Sequence, residues 1–256
     1  MALIKVGISG CFGRMGQELV AEVKKDKRLK YIGGFDKPDK KKDSYITRSQ
    51  VFKEADVIID FSTPISTVRN IEYVKEINQN KTALIIGTTG INNSQLKKIE
   101  LASKKIPILL SSNMSLGVNL LFELVKNSAS KLNSSDYDIE IAETHHKHKV
   151  DAPSGTALSL GEFAAKGRKV NFSNKKIFDR TGKLNKRSQG QIGFSVTRGG
   201  EIAGEHTVSF IGENDRIDIT HKANNRSIFV KGAIEAAVFI SKKKSGLYSV
   251  KDMIKF

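Results

Sequence analysis

Cysteine, tryptophan and proline are scarce in this sequence: its 256 residues contain one cysteine (Cys11), no tryptophan and four prolines. A single cysteine excludes an internal disulfide framework and a cysteine-rich zinc site, and such usage is typical of a reducing cytoplasm. No apolar run reaches the length of about 18 residues that a membrane helix needs. The apolar start of the chain is too short for a signal peptide, so we expect a cytoplasmic protein with no membrane partner.

Acidic residues are also few, since 27 Asp and Glu stand against 43 Lys and Arg, a formal net charge of +16. Such an excess favours an anionic partner, which is a nucleic acid, a membrane surface or a small polyanion. The basic clusters are short runs such as Lys40-Lys41-Lys42, and none is interleaved with aromatic side chains as a nucleic-acid stacking platform would be. We therefore expect surface lysines to account for most of the charge, with no nucleic-acid partner.

The first half of the chain alternates short β-branched runs with amphipathic stretches. The runs predict strands at 3–8, 31–35, 57–61, 83–86 and 108–110, and the stretches predict helices at 15–25, 65–78 and 94–104. Continuous apolar runs between helical periods are typical of parallel strands that are buried on both faces. The pattern predicts an α/β fold with a Rossmann-type, doubly wound parallel sheet.

The pattern changes after about residue 115. Helices are predicted at 116–132, 154–166 and 229–242, strands at 137–143, 192–197, 207–211 and 216–220, and a long polar loop at 171–190. Runs of strands after a helix predict a second, smaller α+β domain. We expect one domain at 1–115 and another at 116–226, with the C-terminal helix and tail at 227–256 packing back on the first.

A glycine-rich turn follows the first predicted strand. Gly10, Gly13 and Gly16 have G-x-x-G-x-x-G spacing, and Phe12 stands where the G-x-G-x-x-G pattern has a glycine. Glycines let the backbone approach phosphate oxygens, which the N-terminus of the next helix also attracts. Asp36 lies about 20 residues after Gly16 and just beyond the second predicted strand, where an acid accepts hydrogen bonds from an adenosine ribose. The combination favours a dinucleotide site over a purely structural turn.

The sequence leaves the choice between NADH and NADPH open. Lys37, beside Asp36, pairs with a 2′-phosphate in one interpretation and is solvated in the other. Two further loops, 87–90 and 111–114, follow predicted strands, where ligands bind in open α/β sheets. Each loop either lines a nicotinamide slot or is an ordinary turn.

Three of the five histidines lie in one segment, residues 143–156. Its His-His-x-His spacing lacks cysteines and matches no common zinc motif, so we expect no metal; a polar surface loop is a further alternative. Ser154-Gly155-Thr156 opens a predicted helix, whose N–H groups and hydroxyls would hold a carboxylate. His146 and Lys149 would neutralise substrate charge, and a His or Lys near the reacting carbon would supply a proton.

Several of these segments resemble one protein family. The segments GCFGRMG, GTTG, SSNMSLGVNLL, ETHHKHKVDAPSGTAL, GEHTVSF and ITHKANNR are similar to those of 4-hydroxy-tetrahydrodipicolinate reductases, also called dihydrodipicolinate reductases. The resemblance spans nearly the whole chain, and its histidine segment is highly specific. It implies a homotetrameric enzyme that uses NADH or NADPH to reduce a cyclic dicarboxylate to tetrahydrodipicolinate in lysine and diaminopimelate biosynthesis.

The resemblance also implies roles for individual residues. His145 would be the catalytic acid/base and Lys149 the proton donor, in a second domain that binds substrate and forms the oligomer. Substrate would be bound by His146, Ser154, Gly155 and Thr156. The first domain would bind the cofactor through Gly10, Cys11, Phe12, Gly13, Arg14, Met15, Asp36, Lys37, Gly87, Thr88, Thr89, Ser111, Ser112, Asn113 and Met114.

Two other functions are compatible with the residues alone. One is a related NAD(P)-dependent dehydrogenase that acts on another small amino or dicarboxylic acid. The other, more remote, is a basic nucleic-acid-binding Rossmann protein, which salt-sensitive retention of DNA or RNA would reveal.

Overall fold

The computed structural model of the chain describes residues 2–36, 48–77, 82–180 and 186–254. The chain forms two compact units. The first contains the residues up to Leu116 and those from Ser227 onward, and the second is Gly117–Arg226. Within the described ranges, no helix has the length and apolar character needed to cross a membrane.

The first unit is built on a six-stranded parallel sheet. Its strands are β1 (Ile4–Ser9), β2 (Leu29–Phe35), β3 (Val57–Asp60), β4 (Ala83–Ile86), β5 (Pro107–Leu110) and β11 (Gly246–Tyr248). Their spatial order is β11-β5-β4-β3-β1-β2, and all the pairings are parallel. The helices of this unit are α1 (Arg14–Lys25), α2 (Arg48–Glu54), α3 (Pro64–Ile77), α4 (Asn93–Ser103) and α8 (Ser227–Ile240), followed by a short 3-10 helix at Val250–Met253.

Both faces of this sheet are covered, which explains the unbroken apolar runs of its strands. Alternate residues of β3 and β4 point to opposite faces. Ile59 and Ile85 join a core cluster with α1 and α8, whereas Ile58 and Leu84 join a second cluster with α2, α3 and α4. Because all the strands are parallel, the loops that follow them lie at one edge of the sheet, where open α/β sheets bind ligands.

The second unit contains a five-stranded mixed sheet. Its strands are β6 (Asp138–His145), β7 (Lys176–Ile177), β8 (Ile192–Arg198), β9 (Gly204–Ile211) and β10 (Arg216–Ala223), in the order β10-β9-β6-β8-β7. The central strand β6 is parallel to β8 and antiparallel to β9. Helices α5 (Leu116–Lys131) and α6 (Gly155–Gly167) pack on one face of the sheet, over Ile139, Ile141 and Val208.

The predicted fold class, a doubly wound parallel sheet with a second α+β unit, is confirmed. The prediction of a long loop at 171–190 is wrong in part, because α7 (Phe172–Lys175) and β7 lie within it. The Phe172 ring packs edge-on against Phe194 of β8, and this tertiary contact orders a segment whose composition is polar. The sequence pattern did not predict α2 and β11, because a seven-residue helix and a three-residue strand are too short to show a clear period.

The contact between α8 and the loop after β5 generates a stability prediction. A Cβ on Gly232 would overlap with the carbonyl oxygen of Met114, and both residues are buried. Although Ala is the better helix former, we expect Gly232→Ala to lower the free energy of unfolding by about 1–3 kcal/mol through overpacking. Denaturant unfolding measures this loss. Gly199→Ala is the control, because a Cβ there meets no atom within 4 Å; equal losses in both variants would contradict the packing argument.

Candidate functional site

Close backbone contacts shape the glycine turn of the first unit. Gly10 has a φ of +79°, a left-handed conformation that favours glycine, and a Cβ there would overlap with the carbonyl oxygen of Phe61. A Cβ on Gly16 would overlap with the carbonyl oxygen of Gly10. Gly13 is the N-cap of α1 and has no side-chain capping hydrogen bond. The turn therefore presents a helix N-terminus to which an anion has a close backbone approach.

Asp36 lies beside this turn, at the end of β2. Its Oδ2 accepts a hydrogen bond from the Phe12 N–H at 3.1 Å, and this bond holds the glycine turn against the second strand. The structure thus brings Asp36 and the turn together. Lys37, which the sequence places next to them, lies outside the described residues.

The other predicted residues of the turn differ in exposure. Arg14 is exposed at the start of α1, and Met15 is half-buried. The Cys11 side chain is buried, and burial, with a smaller effect of Asp36, raises the pKa of its thiol to about 11. Cys11 is therefore a neutral packing residue at physiological pH, and only its backbone can serve a ligand.

The loops after β3, β4 and β5 meet at the same sheet edge. A Cβ on Gly87 would overlap with the Phe61 ring, so glycine is what allows these two loops to touch. Thr88 is buried, and its Oγ1 accepts a hydrogen bond from the Ser62 N–H at 3.1 Å. The Ser111 N–H donates to the last carbonyl of β4 at 3.1 Å. The structure therefore brings the loops that carry these predicted residues together at one edge of the sheet.

Side chains in the same loops face in different directions. Thr89 and Ser112 are exposed. Asn113 is half-buried, and its Oδ1 accepts a hydrogen bond from the Ser115 N–H at 2.9 Å. Met114 is buried in the core cluster beneath the sheet edge. Its side chain packs in the core, which leaves its backbone as the part that lines the edge.

A buried acid that the sequence reading missed supports these loops. Asp60, the last residue of β3, accepts hydrogen bonds from the Ser62 hydroxyl and from Asn70 Nδ2, the latter at 3.0 Å. Burial raises the pKa of Asp60 above its ordinary value, against the effect of these hydrogen bonds. An acid at the end of the apolar run VIID was the available signal, because strand ends in such sheets carry functional or supporting polar groups.

In the second unit, a histidine and two charged side chains form a compact cluster. Glu143 and His145 lie on the same face of β6, since residues two apart on a strand share a face. His145 Nδ1 lies 2.5 Å from Glu143 Oε2. Arg198 of the neighbouring strand β8 donates to both carboxylate oxygens, each at 2.8 Å.

Burial and charge set the protonation of this cluster. Burial acts to raise the pKa of Glu143, but hydrogen bonds from Arg198, His145 and the Ser154 N–H together hold it below its ordinary value. Burial lowers the pKa of His145, although the Glu143 carboxylate opposes this effect. Glu143 is therefore ionised near neutral pH, and His145 is predominantly a neutral ring that can exchange a proton.

The first turn of α6 lies beside this cluster. Ser154 is the N-cap of α6, and its Oγ accepts a hydrogen bond from the Ala157 N–H at 3.2 Å. The Ser154 N–H donates to Glu143 Oε1 at 2.9 Å. A Cβ on Gly155 meets no atom within 4 Å, so the space beside this residue is open, and the Asp151 carboxylate interacts with the Gly155 backbone. Gly155 and Thr156 thus lie in a helix N-terminus that a carboxylate can approach.

Lys149 and His146 lie in the segment that follows β6. Lys149 Nζ donates to Asp151 Oδ1 at 2.7 Å, and the lysine side chain is 22% exposed. The His146 N–H donates to the carbonyl of Ile202 at 2.8 Å. His146 Nδ1 is buried and lacks a hydrogen-bond partner within the described part of the chain, and such a buried polar atom is typical of a ligand contact.

His206 of β9 completes the cluster. Its ring makes an edge contact with the His145 ring, with 5.1 Å between the centroids, and its Nε2 lies 3.0 Å from Ser154 Oγ. The sequence did not predict Glu143, Arg198 or His206 as site residues. Glu143 stands two residues before His145 in the same strand, which was a usable signal, but the other two come from strands far away in sequence.

Comparisons with known proteins agree along the whole chain. The family model for the N-terminus of dihydrodipicolinate reductase matches residues 4–114, and the model for its C-terminus matches residues 117–254. The 4-hydroxy-tetrahydrodipicolinate reductase of Buchnera aphidicola is 43% identical over 98% of this chain and 97% of its own length. The enzyme of that name from Caulobacter vibrioides is 41% identical over 99% of this chain and 98% of its own. A dipicolinate-bound dihydrodipicolinate reductase from Paenisporosarcina has a TM-score of 0.81 at 22% identity, covering 98% of this chain and 100% of that one.

The environment of His206 generates a pH prediction. Burial, followed by the effect of His145, lowers the pKa of His206 to about 4 from the value of 6.5 that the exposed side chain has. Between these values the unfolded chain binds a proton that the folded chain does not, so this stability is fully present above pH 6.5 and is lost as the pH falls through about 4. We expect the native chain to lose about 2 kcal/mol more unfolding free energy between pH 7 and 5 than His206→Asn.

Urea unfolding of both proteins at pH 7 and pH 5 gives the unfolding free energy that each one loses between these pH values. His148→Asn is the matched control, because its side chain is 68% exposed and this variant should lose as much unfolding free energy as the native chain. Equal losses for the native chain and His206→Asn would show that His206 is not held neutral by burial.

Proposed function

Because this chain belongs to the dihydrodipicolinate reductase family, and is accordingly an NAD(P)-dependent oxidoreductase, we propose that it reduces 4-hydroxy-tetrahydrodipicolinate to tetrahydrodipicolinate in lysine and diaminopimelate biosynthesis. The observation that carries the proposal is the hydrogen-bonded pair of His145 and Glu143 beside the first turn of α6. This arrangement combines a proton-exchanging ring with a site for a carboxylate. The reaction adds a hydride and a proton to the substrate ring and releases water.

The residues of the first unit fit a dinucleotide. Glycines at positions 10 and 16 let the turn fold tightly against the Phe61 backbone and against itself, and the N-terminus of α1 would hold the pyrophosphate. Asp36 would accept hydrogen bonds from the adenosine ribose. NADH or NADPH supplies the hydride when it is bound. Lys37 and Arg14 are the cations that we propose at the adenosine and pyrophosphate ends.

The loops at the sheet edge would hold the nicotinamide end of the cofactor. Gly87, Thr88 and Thr89 follow β4, and residues 111–114 follow β5. Their backbones line the edge next to the glycine turn, and the contact of Gly87 with the Phe61 ring keeps these loops in place. We propose that they orient the nicotinamide, since the protein's contribution to such chemistry is orientation and electrostatics.

In the second unit, a substrate carboxylate would bind at the first turn of α6. The N–H groups of Gly155 and Thr156 would donate to it, and Ser154 would shape the turn as its N-cap. His146 would contribute its buried Nδ1 to the same ligand. Lys149 would attract the dicarboxylate and stabilise its charge.

Proton transfer would fall to His145 and Lys149. The His145 ring is held through Nδ1, so its Nε2 would be the atom that exchanges a proton with the substrate. Lys149 carries its proton in an ion pair with Asp151, and it would donate to the substrate ring or to the leaving hydroxyl. Each of these groups acts as a positioned general acid or base, and the cofactor performs the hydride chemistry.

The catalytic assignment is tested by paired substitutions. We expect His145→Gln and Lys149→Ala each to lower kcat by about 100-fold or more, the usual contribution of a general acid or base. The KM of NADH and NADPH should change by less than about twofold, because neither residue belongs to the cofactor site. Oxidation of the reduced cofactor, followed by absorbance with the cyclic substrate, measures both constants.

The same segment offers matched controls. His148→Gln and Lys147→Ala alter exposed side chains of the same types, and near-native kcat is expected. Near-native turnover of both His145→Gln and Lys149→Ala would remove these residues from the mechanism. Failure of the native enzyme to oxidise either cofactor with this substrate would overturn the proposed reaction.

Assembly into a homotetramer in the cytoplasm belongs to the same proposal. The unit at 116–226 would form the assembly as well as bind substrate, and the domain at 1–115, on which the segment 227–256 would pack, would bind the cofactor. Sedimentation equilibrium should therefore give four times the mass of one chain. A mass of one or two chains at the concentrations of the assay would contradict this assembly.

A further inference from the structure

We propose that Glu143, held by Arg198, is a positioning residue. It determines which ring nitrogen of His145 exchanges a proton, and it fixes the position of that ring relative to the first turn of α6. The proposal rests on the proposed roles of His145 and α6 in the reaction. Neither Glu143 nor Arg198 is among the residues that the motifs of the sequence single out for catalysis or binding.

Glu143 has no acceptor capacity to spare for a substrate. Its side chain is completely buried. Oε2 accepts hydrogen bonds from His145 Nδ1 at 2.5 Å and from Arg198 Nη1 at 2.8 Å. Oε1 accepts from the Ser154 N–H at 2.9 Å and from Arg198 Nη2 at 2.8 Å. A carboxylate has about four acceptor sites, so this group orients its neighbours and does not touch the ligand.

The contact with Glu143 determines where His145 carries its proton. An ionised carboxylate only accepts hydrogen bonds, so Nδ1 of His145 must be the protonated nitrogen of the neutral ring. Proton exchange is then confined to Nε2. A Cβ on Gly204 would lie 2.9 Å from that Nε2, and glycine at this position, where φ is +152°, keeps a side chain away from the reactive nitrogen.

Arg198 extends the same control to the segment that carries Lys149. Its Nη2 also donates to the carbonyl oxygen of Asp151 at 2.6 Å. Asp151 in turn accepts the hydrogen bond from Lys149 Nζ at 2.7 Å. One ion pair thus positions the His145 ring, the α6 turn and the Lys149 segment, and a displacement of about 1 Å among such groups can cost 100-fold in rate.

The charges around His145 fix the direction of a test. Glu143 from its own strand raises the pKa of His145, while Lys149 from the following segment and Arg198 from β8 lower it. His206 from β9 is neutral at pH 7, since its pKa is about 4. Removing the negative charge of Glu143 leaves two cations facing the ring, so the pKa of His145 must fall further.

The variant Glu143→Gln keeps the shape of the side chain and removes its charge. One carboxylate oxygen becomes an amide NH2, which cannot accept from His145, Ser154 or Arg198. We expect nitrogen-15 NMR to show a lower pKa for His145 and a population of the ring protonated at Nε2. We expect kcat to fall by about 100-fold or more, since loss of the carboxylate that sets a histidine tautomer costs up to about 10⁴-fold in serine proteases, with the KM of NADPH unchanged.

Glu140→Gln is the matched control on the same strand. Glu140 also pairs with arginines, Arg180 at 2.8 Å and Arg187, but no histidine or helix N-terminus contacts it among the described residues. The Glu140→Gln variant should have the same His145 NMR signals and the same kcat as the native chain. Arg198→Lys retains one charged donor, so an intermediate loss of kcat with the Nδ1-protonated ring preserved is expected.

Each outcome bears on one claim. Unchanged His145 signals in Glu143→Gln, whether or not kcat falls, would overturn the positioning role. A changed ring with native kcat would instead overturn the catalytic role of His145 and leave the positioning contact intact. If Glu143→Gln does not fold, Arg198→Lys decides: an intermediate loss of kcat with the Nδ1-protonated ring preserved and the KM of NADPH unchanged supports the proposal, and a native kcat overturns it.

Discussion

The ion pair of Glu143 and Arg198 is the interaction on which the second unit's site depends. Taking two charges out of water costs several kcal/mol for each ion, and only close geometry with further hydrogen bonds offsets that cost. Here the pair is bidentate at 2.8 Å, and the carboxylate has two more donors, on His145 and Ser154. Loss of Arg198 would leave the fully buried Glu143 carboxylate without its cationic partner, a change that costs about 3–5 kcal/mol. The site therefore has little freedom to rearrange.

The ligand edge of the first unit depends on close backbone packing rather than on an ion pair. This edge exists because glycines at positions 10, 16 and 87 let neighbouring loops approach more closely than any side chain would allow. Asp60 adds a buried polar anchor beneath the loop after β3, through its hydrogen bonds to Ser62 and Asn70. Hydrogen bonds from the Gly87 N–H to the Asp60 carbonyl and from the Ser111 N–H to the Ile86 carbonyl hold the loops after β4 and β5 at this edge.

The net charge of +16 has a more limited meaning once the pairs are known. Arg198 is committed to Glu143, and Lys149 is paired with Asp151. In the proposed complex, a substrate carboxylate would meet the N–H groups of the α6 turn and the buried Nδ1 of His146, with Lys149 adding its positive charge. The excess of surface lysine can raise the local concentration of anionic ligands at low salt, an effect that ionic strength screens.

The sequence by itself determined the elements whose signal is local. The apolar runs of β3 and β4, the glycine turn with Asp36, and the histidine segment before α6 were all readable, because burial on both faces, backbone freedom and helix capping leave marks on neighbouring residues. Only the tertiary structure decided the partners of those residues. Arg198 lies 55 positions from Glu143, and His206 lies 52 positions from Ser154, so no local period joins them. The pairing of β8 and β9 with β6 creates these contacts, and sheet register is set by packing across the whole unit.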